Sequence, residues 1–138
     1  MPIPRLVPLF ALLSVIMLAR EGSAQVAITE FMASNSSTLA DENGSFQDWI
    51  EIENTSASAV NLFNWALTDT AANLNKWRFP TMTLAPKQRL VVFASGKDRV
   101  NPAGKFHTNF TLSAGGEYLA LVRPDLSIAT EFARENHN

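Results

Sequence analysis

Cysteine is absent from the 138 residues of this chain. Its absence excludes disulfide bonds, thiol nucleophiles and cysteine-ligated zinc, so the fold must rest on its hydrophobic core. A single domain of this length can bury such a core, since 46% of the residues are hydrophobic. Histidine is also scarce. Only His107 lies within the predicted fold and His137 lies in the tail, so a zinc site is not predicted.

A helical period is missing from every long stretch of the sequence. Apolar and polar residues instead alternate with a period of two, and turn residues interrupt the pattern about every 8 to 12 positions. This pattern predicts an all-β protein of seven to eight short strands, arranged as a β-sandwich or barrel. The residues predicted to form its structural core are Ile50, Ile52, Trp65, Leu67, Trp77, Phe79, Val91, Phe93, Leu119 and Leu121.

Basic residues are missing between positions 21 and 75, where seven acidic residues lie at positions 30 to 69. Positions 76 to 105 show the reverse, with seven basic residues and one acidic residue. The two segments either pair their charges across neighbouring strands or present a solvated surface. The net charge of -2 provides no overall basic field, and Trp77 and Phe79 alternate with basic residues and are expected to face the core. Nucleic acid is therefore not a predicted partner.

The N-terminal segment has the composition of an export signal. Arg5 precedes an apolar run of fourteen residues, and Gly22 and Ala24 stand where a signal peptidase reads small residues. The run is short for a membrane span, which needs about 20 residues. The sequence therefore predicts a signal peptide at residues 1–24 and no membrane span after its cleavage. A folded domain at residues 25–133 and a polar tail at residues 134–138 would follow, in a secreted, periplasmic or cell-surface protein.

The stretch "LADENGSFQDWIEIEN", residues 39–54, holds five acidic residues and no basic one: Asp41, Glu42, Asp48, Glu51 and Glu53. An EF-hand loop that began at Asp41 would need glycine at its sixth position and glutamate at its twelfth. Phe46 and Ile52 stand there instead, so the stretch is not an EF-hand. Two alternatives stay open. One is a polar loop leading into a strand. The other is a different calcium site built from Asp41, Glu42 and Asp48, with Asp69 as an optional fourth ligand.

Catalytic residue patterns are weak throughout the sequence. Glu51 and Glu53 would share a strand face about 7 Å apart, a spacing that suits a glycosidase but is found in every alternating strand. No G-x-S-x-G motif is present, and a catalytic triad would depend on His107. We therefore predict no enzymatic activity, no catalytic residue and no cofactor.

Trp49 is the aromatic residue best placed for binding, because its predicted strand face also carries Glu51 and Glu53. An exposed tryptophan on a β-sandwich would suit a sugar ring, although the preceding loop or a second sheet could equally cover it. The candidate binding residues are therefore Asp41, Glu42, Asp48 and Trp49.

Three segments together resemble the lamin-tail domain family: "WIEIENTSASAVNLFNWALTD", "KWRFPTMTLAPKQRLVVFASGKD" and "LSAGGEYLALVRPD". The likeness extends from about Val26 to Phe132, and the export signal resembles the bacterial exported branch of the family. The resemblance implies an immunoglobulin-like β-sandwich that acts as a non-enzymatic interaction or tethering module. Its partner would be a protein or a glycan at the cell surface. Three alternatives stay open: calcium-binding adhesion, carbohydrate-binding adhesion, and an accessory role in a larger secreted enzyme with additional domains.

Overall fold

A computed structural model describes residues 25–116 and 118–133. The predicted signal peptide and polar tail lie outside the described residues. Within them, all regular secondary structure is β-strand, and no helix is long and apolar enough to cross a membrane. The ten strands are β1 Val26–Met32, β2 Asp48–Asn54, β3 Val60–Asn61, β4 Ala66–Thr68, β5 Trp77–Arg78, β6 Thr83–Leu84, β7 Arg89–Ala94, β8 Phe106–His107, β9 Leu119–Val122 and β10 Ile128–Phe132.

The strands form two four-stranded sheets and one small pair. The first sheet has the order β1-β2-β7-β8, the second has the order β10-β9-β4-β5, and β3 pairs with β6. All neighbours are antiparallel except β7 and β8. One apolar cluster takes residues from both four-stranded sheets, including Ile50 and Ile52 of β2 and Leu119 and Leu121 of β9. The predicted all-β, immunoglobulin-like sandwich is confirmed.

The number of strands exceeds the predicted seven to eight for two reasons: the short strand β6 was not predicted, and one predicted strand is interrupted. The sequence pattern favoured a single bent strand at residues 60–69, but Asn64 adopts a left-handed backbone with φ 64°. The Trp65 amide then bonds the Leu62 carbonyl at 2.9 Å, which closes a turn between β3 and β4. Asparagine tolerates this conformation better than most residues do.

In strand β7 the structure contradicts the prediction for one core residue, Val91. Val92 and Ala94 belong to the cluster between the sheets, so Val91 and Phe93 point to the outer face. Phe93 is nevertheless buried, whereas Val91 is only half-buried. The other nine predicted core residues are buried, so Val91 is the one residue for which the core prediction is wrong. The β7 sequence is apolar on both faces, so alternation could not show which face was inside.

The two sheets approach each other along one side at their edge strands β1 and β10. The Ile28 amide donates a hydrogen bond to the Thr130 hydroxyl at 3.3 Å, and the Phe31 and Phe132 rings lie 5.1 Å apart. Each strand also contains a register shift, after Ile28 in β1 and after Ile128 in β10. Such bulges bend an edge strand and discourage unwanted pairing with another chain.

Candidate functional site

The connection from β1 to β2, residues 33–47, will be called the acidic loop. Asn35 organises it from inside. The Asn35 amide donates to the carbonyl oxygens of Thr38 and Gln47, and its oxygen accepts from the Thr38 amide at 3.0 Å. An asparagine that bonds nearby backbone groups stabilises a turn in place of regular secondary structure. The acidic loop is thus an ordered element.

The acidic loop lies over the outer face of the first sheet. The strand register aligns four residues in one row on this face: Met32, Trp49, Phe93 and His107. The Thr38 hydroxyl contacts the Met32 sulfur at 3.3 Å at one end of the row. At the other end a Glu42 carboxylate oxygen contacts the His107 ring at 2.6 Å.

Trp49 lies beneath this loop and is only 7% exposed. Of the alternatives left open for Trp49, the structure shows the covered one, because the preceding loop covers that face of β2. Among the described residues, the Trp49 indole nitrogen has no hydrogen-bond partner. A buried indole N–H usually finds one, so Trp49 serves here as an apolar side chain.

Asp41 anchors the tip of the acidic loop. Its carboxylate accepts hydrogen bonds from the Ser45 and Asn43 amides, both at 2.9 Å, and forms an ion pair with the Lys97 ammonium at 3.0 Å. Burial acts to raise the pKa of the Asp41 carboxyl, but these partners outweigh burial and lower the pKa to about 2. Asp41 is therefore ionised near neutral pH.

Glu42 joins the same tip to the β7–β8 region. Its carboxylate lies 2.6 Å from the Nε2 atom of His107 and 3.4 Å from the Arg99 guanidinium. Desolvation acts to raise the pKa of Glu42, whereas the hydrogen bond with His107 and the nearby charges lower it, with a net decrease. Because an ionised carboxylate can only accept a hydrogen bond, Nε2 of His107 carries the shared proton.

Ser95, His107 and Glu42 form a chain of contacts that resembles a catalytic triad in composition. The Ser95 hydroxyl lies 2.7 Å from Nδ1 of His107, and Glu42 lies at Nε2. Both ring nitrogens are thus engaged, and His107 is fully buried at 0% exposure. His107 therefore joins the tip of the acidic loop to Ser95, just after β7, and these contacts clamp the loop to the β7–β8 region.

Asp41, Glu42 and His107 also offer three potential metal-ligand atoms within 4.8 Å of one another. Each of these side chains already has an ion-pair or hydrogen-bond partner. Lys97 neutralises Asp41, and Arg99 and His107 share Glu42. A hard cation such as calcium favours six to eight oxygen ligands, and two fixed cationic side chains oppose its charge. The arrangement is therefore that of an ion-pair network.

Asp48 is not part of that network. One of its carboxylate oxygens accepts from the Ser34 amide at 2.8 Å, and the other accepts from the Leu112 amide at 3.1 Å. Asp48 thus ties the start of the acidic loop to the segment before β9. The structure brings Asp41 and Glu42 together but leaves Asp48 in a different contact, so the three-carboxylate calcium set that the sequence left open is not assembled.

A groove of about 310 Å³ opens along β7 of the first sheet, beside the tip of the acidic loop. Its apolar surface includes Val91 and Leu39, and Leu39 is 46% exposed. Its lining residues are Leu39, Ala40, Arg89, Leu90, Val91, Phe93, Gly104, Lys105 and Phe106. Pockets that combine apolar surface with a few polar groups are typical ligand sites.

The family model for the Lamin Tail Domain matches residues 19–134, most of the chain. The chain belongs to the lamin-tail domain family. The predicted family is therefore confirmed. It is a family of immunoglobulin-like, non-enzymatic domains, which supports an interaction module in general terms. Comparison with the curated proteins gives no match.

The sequence analysis of this lamin-tail domain did not predict which residues contact the acidic loop. Ser95, Lys97, Arg99 and His107 all follow Glu42 by more than fifty positions. The sequence held one signal of these contacts: an acid-rich segment is followed by a base-rich segment, and the two could pair their charges. The structure joins these segments, so internal charge pairing, one of the two interpretations left open, is what the fold shows.

Proposed function

We propose that this lamin-tail domain is an exported, non-enzymatic interaction module that binds a protein or glycan partner at the cell surface. The groove beside the acidic loop carries the proposal. The acidic side chains of the loop are engaged in holding it against the sheet, whereas Leu39 and Val91 remain open to solvent in the groove. Accessible apolar surface next to a rigid sheet is typical of a binding site.

Export is supported by the composition of residues 1–24. The basic residue, the short apolar run and the small residues before Gln25 are the three parts of a cleavable signal. The test is to express the full chain in a secreting host and to determine the N-terminus of the product outside the cytoplasm by mass spectrometry. We expect Gln25. A product that stays in the cytoplasm and keeps Met1 would contradict export.

Partner binding is tested by photo-crosslinking of the full chain in the cells that produce it. A photoreactive residue replaces Ala40, an exposed position that lines the groove, and a matched control replaces Thr83, an exposed position on β6 outside the groove. We expect one reproducible adduct from position 40, suppressed by excess unlabelled protein. The absence of a competed adduct from either position would contradict an interaction role.

A further inference from the structure

Strand β7 has an edge that is covered over only part of its length. On one side, β2 pairs with all of Arg89–Ala94. On the other side, β8 pairs with Val92 and Phe93 alone. In residues 25–116 and 118–133, neither a strand nor an isolated bridge pairs with Arg89–Val91 on that second side. Three strand residues span about 10 Å, so a short length of main chain is left open there.

The polar groups of this open length point away from β2. The Phe93 carbonyl accepts from the Thr108 amide at 2.8 Å, across the boundary between β7 and β8. Alternate residues of a strand direct their main-chain groups to the same side. The N–H and C=O groups of Arg89 and Val91 therefore point to the same edge as those of Phe93, beyond the point at which β8 begins.

The groove follows this open edge. Leu90 and Val91 line it from β7, while Gly104 and Lys105 line it from the chain that leads into β8. The space between them thus lies where an additional strand would extend the line of β8. An extended peptide placed there would find main-chain partners on β7 and apolar surface at Val91 and Leu39.

The charges at the groove favour a carboxylate. Its lining contains Arg89 and Lys105 and no acidic residue. Arg89 already pairs with Glu53 at 2.8 Å. Within the described part of the chain, Lys105 has no carboxylate within ion-pair distance. Lys105 is therefore the cation that remains available to a ligand.

We propose that the groove binds an extended peptide segment of a partner protein, which adds as a short strand to the open edge of β7. The segment would place a large apolar side chain against Val91 and Leu39 and a carboxylate near Lys105. This inference rests on the proposed interaction role and specifies its partner. Because side chains two positions apart project from the same strand face, the apolar and acidic residues stand at i and i+2.

The direct test uses the isotopically labelled full chain and a capped pentapeptide of sequence TFTET. We expect the peptide TFTET to shift the amide resonances of Arg89–Val91 and Lys105 of the labelled chain. Two matched probes are TFTKT, with the charge reversed, and TFTET carrying N-methyl groups, which lacks main-chain donors. Each should bind at least about tenfold more weakly, the effect of one lost hydrogen bond or charge contact.

Variants assign the effect to the groove. Val91→Glu should abolish binding of TFTET, whereas Ile128→Glu on β10 of the other sheet should leave it unchanged. Lys105→Glu, at an exposed position, should reverse the preference and favour TFTKT. This last variant tests the site even if a charge at position 91 prevents folding.

The proposal would be overturned if TFTET gave no shift up to about 5 mM. Equal affinity for the N-methylated peptide, or shifts confined to other surfaces, would overturn it too. Self-association of the full chain that Val91→Glu abolishes would make a second copy the occupant and would also overturn it. If the crosslinked partner persists with Val91→Glu while the peptide fails, only the groove assignment falls and the interaction role stands.

Discussion

Asn54, at the end of β2, shows how single polar side chains hold the connections of this domain. It is fully buried, and its amide donates to the Ser58 and Leu84 carbonyls at 2.8 and 2.9 Å. Its oxygen accepts from the Ser56 amide at 3.0 Å. One side chain thus satisfies backbone groups from two separate segments that would otherwise be buried without partners.

Replacement of Asn54 by alanine should therefore destabilise the domain by about 2–3 kcal/mol, because buried carbonyl and amide groups lose their partners. The free energy of unfolding in urea measures the loss. Asn75→Ala, at an exposed position, is the matched control and should change stability by less than about 0.5 kcal/mol. Equal losses in the two variants would contradict the structural role of Asn54.

Neighbouring residues of β2 should respond very differently to substitution. Ile50 has 0% exposure in the core, so Ile50→Asp would bury an unpaired carboxyl and should unfold the domain. Glu51 lies on the outer face and accepts from the Thr29 hydroxyl at 2.7 Å. Glu51→Gln keeps an acceptor there and should cost less than about 1 kcal/mol. Circular dichroism melts compare the two, and similar losses would refute the assigned faces.

At the scale of elements, the acidic loop acts as a cover held by its tip. Asp41 and Glu42 contact Lys97, Arg99 and His107, which all belong to the segment from the end of β7 to β8. The loop thereby excludes water from Trp49 and one side of Phe93, and its outer wall becomes part of the groove. Its order is thus linked to the shape of the proposed binding surface.

This attachment should depend on pH through Asp41. The folded-state pKa of Asp41 is about 2, below its ordinary value of 3.8, so folding favours the ionised form. Its stabilising contribution is therefore complete above about pH 5 and disappears as the pH falls towards about 2. Asp41→Asn should be less stable than the wild type near neutral pH, and the difference should shrink with acidification.

Urea unfolding at a series of pH values measures this difference. Glu30→Gln, an exposed carboxyl on β1 outside the loop, serves as the control and should follow the wild-type curve. A constant gap between Asp41→Asn and the wild type down to about pH 2 would show that ionisation of Asp41 does not stabilise the fold.

At the scale of the whole molecule, the sandwich brings the two oppositely charged segments of the chain together. Ion pairs join them at four places: Lys76–Asp69, Arg89–Glu53, Lys97–Asp41 and Arg99–Glu42. Exposed pairs contribute little to stability individually. Their common effect is to occupy the carboxylates that looked, in the sequence, like a free acidic cluster.

The melting temperature of the full chain should therefore be insensitive to calcium. Lys97 and Arg99 already form ion pairs with the Asp41 and Glu42 carboxylates, so millimolar calcium compared with EDTA should shift the midpoint by less than about 1 °C. Differential scanning calorimetry in both conditions measures the shift. A clear rise with calcium that EDTA reverses would establish a metal site at the loop.

Alternation in β2 was sufficient to predict the faces of Ile50, Ile52 and Glu51, because this strand carries apolar residues on its inner face and acids on its outer face. The same reasoning left the cover of Trp49 open and was wrong about Val91. A period of two shows which residues share a face, but it does not show what covers that face. Trp49 is buried by a loop, and Val91 sits beside a groove that the loop only partly closes.

The sequence by itself determined the β-strand period, most of the buried apolar residues and the membership of the lamin-tail domain family. These properties depend on residues close together along the chain, or on patterns that a family shares. Only the tertiary structure decided that Glu42 meets His107, that Asp48 lies apart from Asp41, and that β8 leaves half of the β7 edge open. Such contacts join residues far apart in sequence, and strand register and loop path fix them together.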